Sequence, residues 1–101
     1  MYNLNLLPMK LRVLQVLGES EKTMTVEDVM KKLEPEYGNE SQFFGDRIET
    51  YITAMMNNGM VTEDEAYFDE NGKIVVKYKV TPLGEERMKY LPNNHNEAAY
   101  T

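Results

Sequence analysis

Along this chain the apolar residues change their spacing once, from helical to alternating, near residue 60. Leu11, Leu14 and Leu17 recur with Val13 and Val16 beside them and Lys10, Arg12 and Gln15 between, which predicts an amphipathic helix opened by Pro8 and closed near Gly18. Ahead of it, Tyr2, Leu4 and Leu6 alternate with Asn3 and Asn5, the pattern of an extended segment. Thr25 as N-cap, with Asp28 at the third helical position and Val26, Val29, Met30 and Leu33 as one apolar stripe, predicts a second helix. Pro35 should end it at Glu34, because proline disfavours helical geometry in the residue before it. Phe44, Ile48, Ile52, Met55 and Met56 then keep helical spacing until Asn58-Gly59, so the third helix is the longest, and Gly59 should take a left-handed conformation where the chain reverses.

Beyond that point the period is two. Ile74, Val76, Tyr78 and Val80 alternate with Lys73, Val75, Lys77 and Lys79, and Asn71-Gly72 is a strong hairpin signal, so residues 61 to 80 read as a two-stranded antiparallel ribbon. Simple alternation would put Lys73, Lys77 and Lys79 on one face with Glu70, Phe68, Ala66 and Asp64. Thr81-Pro82 opens a fourth helix carrying Leu83, Met88 and Leu91, and Pro92-Asn93-Asn94 ends it. The reading is an α+β domain over residues 1–91, a three-helix core with a two-stranded antiparallel wing and a C-terminal helix, followed by a mobile tail over 92–101. Its expected core is Leu14, Leu17, Val29, Leu33, Ile48, Ile52, Met55, Ile74, Val76 and Leu83.

Composition narrows the chemistry. A chain of 101 residues supports one domain, and 42% hydrophobic with 28% charged residues is ordinary globular composition. With no Cys and only His95, thiolate metal sites, cysteine nucleophiles and paired imidazoles are excluded. Glu63-Asp64-Glu65 is no cation site by itself, since successive strand residues point to opposite faces. Neither an enzyme nor a cofactor or metal is expected. Nothing reads as a signal peptide or membrane span, so the expected location is the cytoplasm. The net charge of −6 is concentrated: between Glu36 and Glu65 seven acids face one base, Arg47, while the remaining residues balance.

Three helices, the third running into a hairpin through Asn57-Asn-Gly-Met-Val61, then a capped helix after Tyr78-Lys-Val-Thr-Pro-Leu-Gly84, resemble the winged helix-turn-helix proteins of the PadR-like and MarR-like transcription-regulator type. In that resemblance Met24 to Leu33 forms the support helix and Ile48 to Val61 carries the recognition helix into the wing. The resemblance implies double-stranded DNA as partner, with Gln42, Arg47, Thr50, Thr53 and Asn57 reading bases and Lys73 and Lys77 of the wing on phosphates. It also implies a homodimer, because one such unit covers one half-site. A second reading starts from the charge. Gly45-Asp-Arg-Ile48 is similar to the acidic winged-helix domain of the delta subunit of bacterial RNA polymerase, and Asp46, Glu49 and Met56 would then face a basic protein partner without direct DNA binding.

Overall fold

The computed structural model describes residues 8–20 and 22–91. Its elements run α1 (Met9–Glu19), α2 (Val26–Tyr37), α3 (Gly45–Asn57), β1 (Val61–Phe68), β2 (Ile74–Val80) and α4 (Pro82–Met88). The α+β layout of a three-helix core, a two-stranded antiparallel wing and a following helix is the one the spacing predicts. The extended N-terminal segment and the C-terminal tail with His95 lie outside the described residues.

Local chemistry sets most boundaries. Thr25 and Asp28 form a reciprocal capping box at 3.1 Å in both directions, satisfying two N–H groups at the start of α2. At the end of α3, Gly59 has φ +79° and donates to the Met56 carbonyl, while Met60 N–H donates to that of Met55. This pair of bonds closes the helix and turns the chain into β1. The Thr81 hydroxyl accepts from Gly84 N–H at 3.1 Å and donates to the Gly59 carbonyl at 2.6 Å, so one side chain caps α4 and fastens it to the α3–β1 turn. Gly84 is buried there, and a Cβ on it would run into the Met60 carbonyl oxygen.

α1 is the central element, touching α2, α3, α4 and β2. Met9, Val13, Leu14, Val16, Leu17, Met24, Val29, Leu33, Tyr37, Ile48, Ile52, Met55, Val61 and Tyr78 form one buried cluster. Three expected core residues fall outside it: Ile74 is 65% exposed, Leu83 is 41% exposed, and Val76 is only half-buried against it. Ile74 stays exposed at the edge of a groove beside α2 and α3, and the first turn of α4 buries Gly84 while Leu83 covers Gly59. Met88 and Leu91 pack against the cluster, with Leu91 beyond the helix end.

Three further expectations are corrected. α2 runs through Pro35 to Tyr37 instead of stopping at Glu34. The last turn is held by the Tyr37 ring, 2% exposed, and by Glu36, both beyond the proline. Arg12 and Gln15 are not the solvated face of α1, since each is 4% exposed. The Arg12 guanidinium forks onto both Glu36 carboxylate oxygens at 3.1 and 3.2 Å and reaches Glu19 and Gln15 at 3.2 Å, bracing α1 against α2. Burial works against its charge, but the Glu36 and Glu19 carboxylates outweigh that and hold its pKa above the ordinary arginine value.

The third correction concerns the hairpin faces. Phe68 pairs with Ile74, Tyr67 with Val75, Ala66 with Val76 and Glu65 with Lys77, and a bulge between Glu63 and Glu65 then shifts the register. Lys77 therefore lies with Tyr67 and Glu65, while Phe68 and Ala66 lie on the opposite face with Ile74 and Val76. Asp64, displaced by the bulge, reaches Lys79 at 3.2 Å. The turn explains the offset. Asp69 accepts from Asn71 and Lys73 N–H through its carboxylate, Gly72 has φ +79°, and the loop is longer than a two-residue turn.

Candidate nucleic-acid interface

α3 has two chemically distinct sides. Ile48, Ile52 and Met55 are fully buried, and the opposite side presents Asp46, Glu49, Thr50, Thr53 and Asn57, all exposed. Glu49, Thr50, Thr53, Ala54 and Asn57 line one shallow hollow along this side, so the structure brings three of the expected base-reading residues together with a carboxylate. Thr50 is turned onto its own helix, donating to the Asp46 carbonyl at 2.9 Å. Asp46 sits in the first turn, where the positive end of the helix dipole favours it.

Arg47 is placed differently. Its guanidinium lies 5.9 Å from the centre of the Phe44 ring, its Nε is buried with no hydrogen-bond partner, and it forms no ion pair among the described residues. It flanks the hollow without lining it. Gln42 is exposed in the turn before α3, where its carbonyl accepts from Phe44 N–H at 3.1 Å. Met56 is half-buried against the core cluster.

The wing lysines divide in the same way. Lys77 is paired with Glu65 at 3.8 Å and lies 5.8 Å from the centre of the Tyr67 ring, and Lys79 is paired with Asp64. Lys73, at the turn, forms no ion pair among the described residues. No basic residue of α1 or α2 lines the α3 hollow. Arg12 is committed to Glu36 and Glu19, and Lys32 lines the same cleft between α1 and α2. Lys22, Lys31 and Lys32 surround a second hollow with Ser20, Thr23, Met24 and Asp28. Their grouping depends on the turn between α1 and α2, and single-chain spacing gives no sign of it.

A further groove lies between α2, α3 and the wing, lined by Thr25, Val26, Glu27, Glu49, Ile74, Val75, Val76 and Tyr78. Burial raises the Tyr78 pKa above the ordinary value, with Glu49 and then Glu63 adding to the effect by repelling a phenolate. Among the described residues no group of three or more acidic or imidazole side chains could hold a metal ion, and no helix is long and apolar enough to cross a membrane.

No family model matches the sequence, and no curated protein matches it. Solved structures do. The chain is similar to a Streptococcus transcriptional regulator at 17% identity and a TM-score of 0.57, covering 80% of this chain and 74% of that one. It is also similar to Bacillus subtilis PadR, solved in complex with operator DNA, at 15% identity and a TM-score of 0.64. That match covers 88% of this chain and 53% of PadR, so the present chain spans about half the length of that protein. At these identities the comparison establishes the architecture: the chain has the winged-helix fold.

Proposed function

We propose that this chain is a DNA-binding module of a PadR-like transcription regulator, acting in the cytoplasm without catalytic activity. The observation that carries the proposal is the match over 88% of the chain to PadR, a protein solved on operator DNA, combined with an α3 side that is polar and exposed. In this reading α3 enters the major groove, Thr53 and Asn57 meet base edges, and Arg47 leaves the Phe44 ring for a phosphate or a guanine, which satisfies its buried Nε. Lys73 at the hairpin turn supplies a phosphate contact, while Lys77 contributes less because Glu65 already neutralises it. Two copies would cover two half-sites.

Few cations are available, so the salt dependence should be shallow, a slope of about −2 to −4 in log affinity against log salt at roughly −0.9 per phosphate contact. Fluorescence anisotropy with duplex DNA measures it. Asp46→Lys with Glu49→Lys should strengthen non-specific binding by removing repulsion, and Arg47→Glu with Lys73→Glu should abolish it. No duplex binding by the parent chain at about 50 mM salt, where screening is weak, sinks the proposal.

A further inference from the structure

Among the described residues, the outer edge of β2 is paired at one end and open at the other. Tyr78 donates to the Met24 carbonyl at 2.8 Å and accepts from Met24 N–H at 3.1 Å, an antiparallel bridge on the side away from β1. Backbone direction alternates along a strand, so the N–H and C=O groups of Val76 and Ile74 point to the same outer side as those of Tyr78. After Met24 the chain leaves the sheet into α2, so this segment does not continue the ladder it began. An open edge of this kind is a template for another strand.

The surroundings select what that strand would be. Ile74 and its cross-strand partner Phe68 are 65% and 73% exposed, and Val76 and Val26 continue the apolar floor inward. Glu27 on α2 and Glu49 on α3 stand at the groove, which no Lys or Arg lines. Neither carboxylate has an ion pair among the described residues. Phosphates would be repelled here, and a second copy would bring the same carboxylates together with a β2 whose Lys77 and Lys79 are already paired with Glu65 and Asp64. An extended peptide with apolar side chains at alternate positions and Lys or Arg around them satisfies the backbone, the floor and the rim together.

We propose that Ile74 and Val76 of β2, with the Val26–Glu27–Glu49 groove beside them, form a docking edge where a basic, extended segment of another protein adds as a third strand. Its groove shares Glu49 with the DNA-facing side of α3, and Glu27 belongs to it alone.

The test uses the intact chain and a fluorescein-labelled peptide, Lys-Lys-Val-Thr-Val-Lys-Lys, with Glu-Glu-Val-Thr-Val-Glu-Glu as its acidic counterpart. The basic peptide should bind, weaken as salt rises, and protect the Ile74 and Val76 amides from hydrogen exchange. Val76→Pro removes an outward N–H without touching the β1 ladder, and should weaken binding about tenfold, the loss of one backbone hydrogen bond at the upper end of its usual worth. Glu27→Lys leaves the backbone intact and should weaken it about as much through charge, which keeps the test decisive if Val76→Pro does not fold. Four results each overturn the proposal: no binding of the basic peptide, equal binding of the acidic one, unchanged affinity in Glu27→Lys, or protection of the same amides by duplex DNA or by self-association in place of the peptide.

Discussion

The two ends of the wing carry equivalent residues with opposite fates. At its root Val61 pairs with Val80, and at its tip Phe68 pairs with Ile74, two apolar cross-strand pairs on one hairpin. Val61 is 2% exposed and Ile74 is 65% exposed. Propensity and alternation do not separate them. What differs is the support: α3 packs on β1, and α1 and α4 pack on β2, at the end of the hairpin that leads into the helices. At the tip Ile74 only edges the groove beside α2 and α3 and stays exposed. Periodicity reports which residues share a face, and the depth of that face is set by elements far away in sequence.

The largest expected effect probes the supported end. Ile52 is fully buried in the middle of α3, so Ile52→Ala should cost about 2 to 5 kcal/mol, as truncations of buried aliphatic side chains do. Denaturant unfolding with an unchanged m-value measures it. A cost under about 0.5 kcal/mol, ordinary for surface positions, would put the root no deeper than the tip and erase the contrast.

A smaller effect tests the joint between α3 and the wing. Gly59 at φ +79° suits glycine, and a β-branched side chain there should cost about 1 to 2 kcal/mol in backbone strain. Asn58 is exposed with φ −92°, so Asn58→Val should cost less than Gly59→Val. Equal costs would mean that the joint tolerates another geometry.

Much of the fold could be read because its signals are local. The capping box of α2, the glycine that closes α3 and the threonine that caps α4 act within a few residues of where they stand in sequence. The environments of Arg12 and Pro35 come from elsewhere in the sequence. Arg12 looks solvated until α2 brings Glu36 to it, and Pro35 looks terminal until Tyr37 finds the core. The hairpin faces depended on a bulge at Asp64, and bulges leave no mark in an alternating pattern. At the candidate interface, the shared side of Thr50, Thr53 and Asn57 follows from helical spacing. The retreat of Arg47 onto Phe44 does not, because side-chain direction at a helix start depends on the incoming chain.

The root also carries a pH signature. The Tyr78 pKa is raised by burial first and by Glu49 and Glu63 second, so the folded state holds its phenolic proton more tightly than the unfolded chain does. Stability from this group is fully present below the unfolded value near 10 and is lost as pH rises from there through the raised folded value. Tyr78→Phe should therefore flatten the alkaline limb of the stability profile. An unchanged limb would show that the phenol meets the same surroundings folded and unfolded.

The smallest expected effect is at the tip. Ile74→Ser removes an aliphatic side chain that is 65% exposed, paired only with another exposed residue and placed at the edge of the groove beside α2 and α3. Its hydroxyl meets water, and no cavity opens, because nothing encloses the side chain. Thermal and denaturant unfolding should shift by no more than about 0.5 kcal/mol, the usual range for surface positions. The same substitution removes the apolar floor next to the open edge of β2, so it should weaken capture of the basic peptide while leaving the fold intact. Loss of more than about 1 kcal/mol of stability, growing with protein concentration, would show that the tip is buried against a second copy in solution, and the wing would then be supported at both ends.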